Sequence, residues 1–106
     1  MSVVLQMDET IVSIEASKRA NKKYKATVRS KQTGKTRVIH FGHSSYPQFR
    51  DSTPLRKYSS KDHGDKKRRQ AYFSRHSGTS SKHKAVQKER KSGKYSARLL
   101  SHMYLW

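Results

Sequence analysis

Cysteine is absent from the 106 residues, which excludes disulfide staples and thiolate metal sites and leaves the redox compartment open. Large apolar residues are almost as scarce: Leu, Ile, Val and Phe together number 17. A chain so poor in them and so highly charged falls among disordered sequences, because little apolar burial opposes a large ordering entropy. No stretch approaches the roughly 20 apolar residues of a membrane span. The opening MSVVLQMDETIVSIEA has no basic first region and is interrupted by Gln6, Asp8 and Glu9. It therefore reads as an ordinary strand, not a secretory signal peptide. Acids are the last shortage, with 7 Asp and Glu against 25 Lys and Arg and a formal net charge of +18. This length accommodates one small domain and excludes a multidomain enzyme.

The charge is unevenly spread. Residues 1–17 contain three acids and no Lys or Arg, residues 18–51 carry a net +9, and residues 52–106 carry +12. We read an acidic, apolar amino-terminal segment over 1–17 and a single small basic domain over 18–106. Such a division implies two contact surfaces, or an internal pairing between them.

Strands come first. Thr10–Ala16 alternates loosely around Ile11, Val12 and Ile14. Lys23–Ser30 alternates cleanly, with Tyr24, Ala26 and Val28 on one face and Lys23, Lys25, Thr27 and Arg29 on the other. Thr36–Phe41 carries Val38, Ile39 and Phe41, and Gly34 supplies the positive φ that closes a hairpin between the last two runs. Residues 42–64 are dense in turn formers and read as a loop, with Phe49, Leu55 and Tyr58 available to pin it to the sheet. Asp65–His76 has an acidic start and Gly78 to end it, as a helix should. Ser80 or Ser81 is placed to cap a polar helix to about Arg90, although Ala85 and Val86 are its only apolar residues and a loop fits as well. In Tyr95–Trp106 the spacing of Leu99, Met103 and Trp106 describes an apolar helical face. The expected fold is α+β, a small antiparallel hairpin or sheet followed by two or three helices, with long basic loops.

The order of short motifs is distinctive: His40-Phe41-Gly42, Tyr46-x-x-Phe49, Asp62, Arg68-Arg69-x-x-Tyr72-x-x-Arg75-His76 and the closing Tyr104-Leu105-Trp106. Over about residues 23–106 the chain resembles a family of short basic proteins encoded by large nucleocytoplasmic double-stranded DNA viruses. It departs from that pattern at Pro47-Gln48, where the family carries an acid, and in lacking extra aromatics in the last helix. The resemblance implies a virion or virus-replication protein, located in the virion and, during assembly, in the host cytoplasm or nucleus.

The residues themselves point to polyanion contact. Lys23, Lys25, Arg29, Lys35 and Arg37 on the hairpin, with Lys66, Lys67, Arg68, Arg69 and Arg75 on the helix, are placed to neutralise phosphates and release counterions. Tyr24, Tyr46, Phe49, Tyr58, Tyr72 and Phe73 are interleaved with them and either stack on bases or form the small core. Acidic protein surfaces would satisfy the same charge. Tyr72, flanked by Arg68, Arg75 and His76 on one helix, resembles a nucleophile with an anion clamp. We favour the plainer role, a Tyr packed on the sheet with Arg and His tying the 42–64 loop through Asp51 or Asp62, because catalysis needs more supporting groups. His40 and His43 lack the further ligands of a metal site, and Asp62 and Asp65 fit helix-start roles. Lys66–Arg69 is a weak nuclear-import signal. Tyr72, Phe73, Leu99, Met103 and Trp106 are the expected anchors, for the chain's own core or a partner.

These readings converge on a non-enzymatic minor capsid or inner-virion protein that binds other shell proteins, genome DNA or both. No cofactor or metal is expected. The rival is a DNA-binding or packaging protein without a fixed place in the shell; a nuclease or strand-transfer enzyme using Tyr72 is more remote.

Overall fold

Alternating side chains build a three-stranded antiparallel sheet in the order β1 (Glu9–Ala16), β2 (Lys22–Ser30), β3 (Thr36–His43). The computed structural model describes residues 7–106; of the opening 1–16 stretch expected to be a strand, the first six residues lie outside them and Glu9–Ala16 forms β1. β1 explains its loose pattern by a bulge between Ile11 and Ser13. The extra residue, Val12, is left exposed, and Ile11 and Ile14 both come to lie opposite inward residues, Val28 and Ala26. The β2–β3 hairpin closes through Gly34 at φ 75°, as its sequence requires.

Three helices follow: α1 (Lys66–Ser77), α2 (Lys82–Arg90) and α3 (Ala97–Tyr104). Each is capped by its sequence. Asp65 Oδ1 accepts from the Lys67 and Arg68 amides, Ser81 Oγ from Lys84, and Ser96 Oγ from Leu99. The polar 82–90 stretch is therefore a helix, and it packs through the fully buried Ala85 and the half-buried Val86. No helix among the described residues is long and apolar enough to cross a membrane.

α3 lies on the sheet and supplies most of the core opposite Tyr24, Ala26, Val28 and Phe41. The expected Leu99–Met103–Trp106 face packs on the core but is not the deepest part of it. Leu99, Leu100, His102 and Leu105 are buried, whereas Met103 and Trp106 are only half-buried. The helix stops at Tyr104, so Trp106 leaves the helical spacing, and α3 is covered both by the sheet and by its helical neighbours.

Polar side chains complete what the apolar residues are too few to fill. Asp51, Thr53, Gln48, Ser77, His102, Glu9 and Lys23 are all buried. The 42–64 loop is held by them: Asp51 accepts from Tyr24, Thr53 and the Tyr58 amide, and Asp62 Oδ1 accepts from Gln48 and the Asp51 amide. The loop is thus tied by Asp51 and Asp62, as expected, but to Tyr24 of the sheet and to itself rather than to the Arg and His of α1. Tyr58 does pack on the sheet, edge-on to Tyr24, while Leu55 is exposed and Phe49 lies under the Arg69 guanidinium of α1, 4.4 Å from its centroid.

Candidate polyanion-binding cleft

Helical spacing places Arg68, Tyr72, Arg75 and His76 on one side of α1. That side, the start of α3 at Arg98 and the open end of the β2–β3 hairpin at Lys22 and His43 enclose a cleft of about 740 Å³. Tyr72 and Trp106 both line the cleft, their rings stacked 4.3 Å apart and within 5° of parallel. Tyr72 is therefore packed, but on the last residue of α3's extension and not on the sheet. The sheet's inner face is already occupied by α3.

Behind the stack, Tyr72 Oη and His102 Nδ1 share a hydrogen bond of 2.8 Å, and His102 Nε2 bonds Ser77 Oγ at 3.0 Å. Burial, with the nearby His76, Arg98 and Lys82, pushes the His102 imidazole down to about 4, so it is neutral near pH 7. Burial likewise pushes the Tyr72 phenol well above its ordinary value. A nucleophilic Tyr is activated by a lowered pKa or by a neighbouring base; the phenol is shifted the other way, and the one imidazole bonded to it, His102, is fully buried. Ser77 and His102 are a hydroxyl–imidazole pair, yet both are buried and the outer partner is a phenol rather than a carboxylate. The chain of bonds braces α1 against α3.

Two of the expected polyanion contacts are corrected. Lys23 is 2% exposed. Alternation places it opposite Tyr24, but the loop folds over the strand's start, and Gly42, lacking a Cβ, leaves room for the lysine stem beside Leu105. Its ammonium donates to the Tyr46 carbonyl at 2.7 Å and to Gln48 Oε1. Burial lowers its pKa to about 8, against the opposing pull of Asp51. Arg37 is the second. It makes a two-pronged ion pair with Glu9, both bonds at 2.8 Å, and donates to the Tyr95 carbonyl. This is the internal pairing of acidic end and basic body, and it holds Glu9 below and Arg37 above their ordinary pKa values.

The other expected bases do not form one patch. Lys25 and Arg29 lie on the outer face of β2, Lys35 at the hairpin end, and Lys66 and Lys67 on the first turn of α1. Arg69 covers Phe49. Only Arg68 and Arg75 meet Tyr72 and Trp106 at the cleft. Of the interleaved aromatics, Tyr24 and Phe73 are fully buried, Phe49, Tyr58 and Tyr72 are half-buried, and Tyr46 alone is exposed. Two basic residues of the cleft, Lys22 and Arg98, went unread in the sequence, and His43 was weighed there only as a metal ligand. Arg98 was the accessible one, since it neighbours Leu99 on the opposite side of an amphipathic helix. Lys22 and His43 face each other only through strand register.

No protein-family model, curated protein or solved structure matches the chain.

Proposed function

We propose that the chain is a non-enzymatic structural protein of a large double-stranded DNA virus particle, a minor capsid or inner-virion component whose basic surface binds acidic shell-protein surfaces, genome DNA or both. The observation that carries this reading is how the fold uses its acids. Of the seven, Glu9, Asp51, Asp62 and Asp65 are acceptors for the chain's own amides and side chains. The basic excess is therefore not neutralised from within, and among the described residues only Glu9–Arg37 and Glu89–Arg98 are ion pairs. A surface with this imbalance favours an external polyanion.

The motif residues behind the viral resemblance support a structural role, because they brace the fold. Gly42 sits against Leu105, Asp62 supports the loop, and Tyr72 stacks on Trp106. The Tyr72 ring stacked on Trp106 and its hydroxyl engaged by buried His102 favour the packing role over the strand-transfer alternative. The test is a map of the purified particle. The proposal expects this chain at a repeated icosahedral position or in an ordered inner layer; its absence from purified particles, with DNA binding intact, would favour the packaging protein instead.

A further inference from the structure

The cleft differs from an ordinary basic surface in three respects. It is concave, at about 740 Å³. Lys22, Arg68, Arg75 and Arg98 line it, and among the described residues no Asp or Glu does. Arg98 approaches Glu89 only to 3.7 Å and its side chain is 55% exposed, so that pair is weak and leaves the guanidinium accessible. The third respect is a presented aromatic ring. Tyr46 is 65% exposed, the most exposed large apolar side chain among the described residues. It is nonetheless held: one face lies on the His43 imidazole, centroids 4.2 Å apart at 18°, and its carbonyl accepts from buried Lys23.

We propose that this cleft binds a short single-stranded segment of nucleic acid, with a base stacked on Tyr46 and the neighbouring phosphates against Arg68, Arg75 and Lys22. The assignment rests on the polyanion-binding reading above and narrows it to one ligand class. Ring faces carry the negative end of the aromatic quadrupole, so an acidic peptide gains nothing from Tyr46. Every base has a π-face that stacks on such a platform, and a groove joining cations to aromatics is the usual form of a single-strand site. A duplex keeps its base faces inside the stack and meets only the cations at the rim.

Trp106, the only tryptophan, lines the cleft and reports on its filling. The full chain is titrated at several salt concentrations with a short oligothymidylate, a duplex of equal length and poly-glutamate. Oligothymidylate should bind tightest and change Trp106 fluorescence. Tyr46→Ala, at a site already exposed, should weaken it about tenfold, the loss of one stacked base, with the salt slope unchanged. Arg68→Gln with Arg75→Gln should reduce the slope of log K against log salt by about 1.4, two lost phosphate contacts on a single strand. Lys31→Gln with Lys84→Gln, both exposed and neither lining the cleft, should leave the fluorescence response and the Tyr46 dependence intact. Unweakened binding by Tyr46→Ala overturns the proposal, and so does duplex or poly-glutamate binding as tight as oligothymidylate. In both cases the broader polyanion reading survives. Failure of all three ligands to bind at low salt removes both.

Discussion

The Tyr24 hydroxyl donates to Asp51 Oδ2 at 2.5 Å, joining the middle strand to the long loop through one buried anion. The same carboxylate accepts from Thr53 Oγ1, the Thr53 amide and the Tyr58 amide. Burial alone would raise its pKa, but the bonds from Thr53 and Tyr24 hold it below the ordinary carboxylate value. Its contribution is present above the unfolded pKa and lost as pH falls through the lower folded one.

Asp51→Asn sets an amide donor among donors, so it should cost about 2–4 kcal/mol. The measurement is urea unfolding, where the midpoint should fall at unchanged slope. A midpoint equal to the parent's would show that the loop is held by other means.

That pair also marks how far the sequence is legible. Alternation, caps and turns are local signals, so the strands, the Gly34 turn and the helix from Asp65 to Gly78 can be read directly. The burial of Lys23 cannot, because alternation assigns it to the outer face and only the loop's return covers it. Tyr72 is readable as a packing residue, but its partner Trp106 lies 34 positions away and nothing local announces the stack. The site itself was half visible. Arg68, Arg75 and Tyr72 share a helical face, whereas Lys22, His43 and Arg98 join them only through strand register and helix docking.

His102 makes the fold sensitive to mild acid. Its folded pKa of about 4 lies below the ordinary 6.5, so the unfolded chain takes up the proton first as pH falls between those values. Stability from the neutral imidazole is complete above pH 6.5 and declines toward pH 4, by at most about 3 kcal/mol. His63 and His76 are also shifted down by burial and act in the same direction. Unfolding midpoints at pH 7 and pH 5 should differ accordingly, and the difference should shrink in His102→Gln. A pH-independent midpoint across this range would refute the prediction.

Gly34 and Gly42 both have positive φ, 75° and 78°, but their surroundings differ. A Cβ at Gly34 meets nothing within 4 Å, whereas one at Gly42 would stand 2.8 Å from Leu105 Cδ1. Gly34→Ala should therefore cost only the left-handed backbone term, about 1–2 kcal/mol. Gly42→Ala adds overpacking of the core, for a total of about 2–5 kcal/mol. Equal losses in the two variants would mean that Leu105 yields freely.

Tyr72→Phe preserves the ring that stacks on Trp106 and removes the hydroxyl bonded to His102. The expected loss is about 1 kcal/mol, with folding and particle assembly retained. Incubation of the parent with plasmid DNA should give no strand cleavage. Cleavage that disappears in Tyr72→Phe would instead establish the nucleophile and overturn the non-enzymatic proposal.

The carboxyl end ties together parts of the fold that have few other links. Leu105 is 2% exposed and belongs to the core, and the half-buried Trp106 covers Tyr72. The backbone contributes as well: the Leu105 and Tyr104 carbonyls accept from the Arg50 and Ser52 amides, so this segment also secures the long loop. His102 links it to α1 through Tyr72 and Ser77. Removing residues 102–106 thus strips the sheet, the loop and α1 of a shared support. Burying a Leu-sized side chain alone contributes about 1.5–3 kcal/mol, against a total of about 5–15 kcal/mol for a domain. We predict that the truncated chain is unfolded in isolation at 25 °C, seen as loss of near-ultraviolet circular dichroism and of protection from protease. Trp106→Ala, which removes the stack but leaves Leu105 and both backbone bonds, should fold with a lowered midpoint. A truncated chain that folds as the parent does but fails to enter particles would assign the anchor to a neighbouring subunit, and one that both folds and assembles normally would overturn both roles.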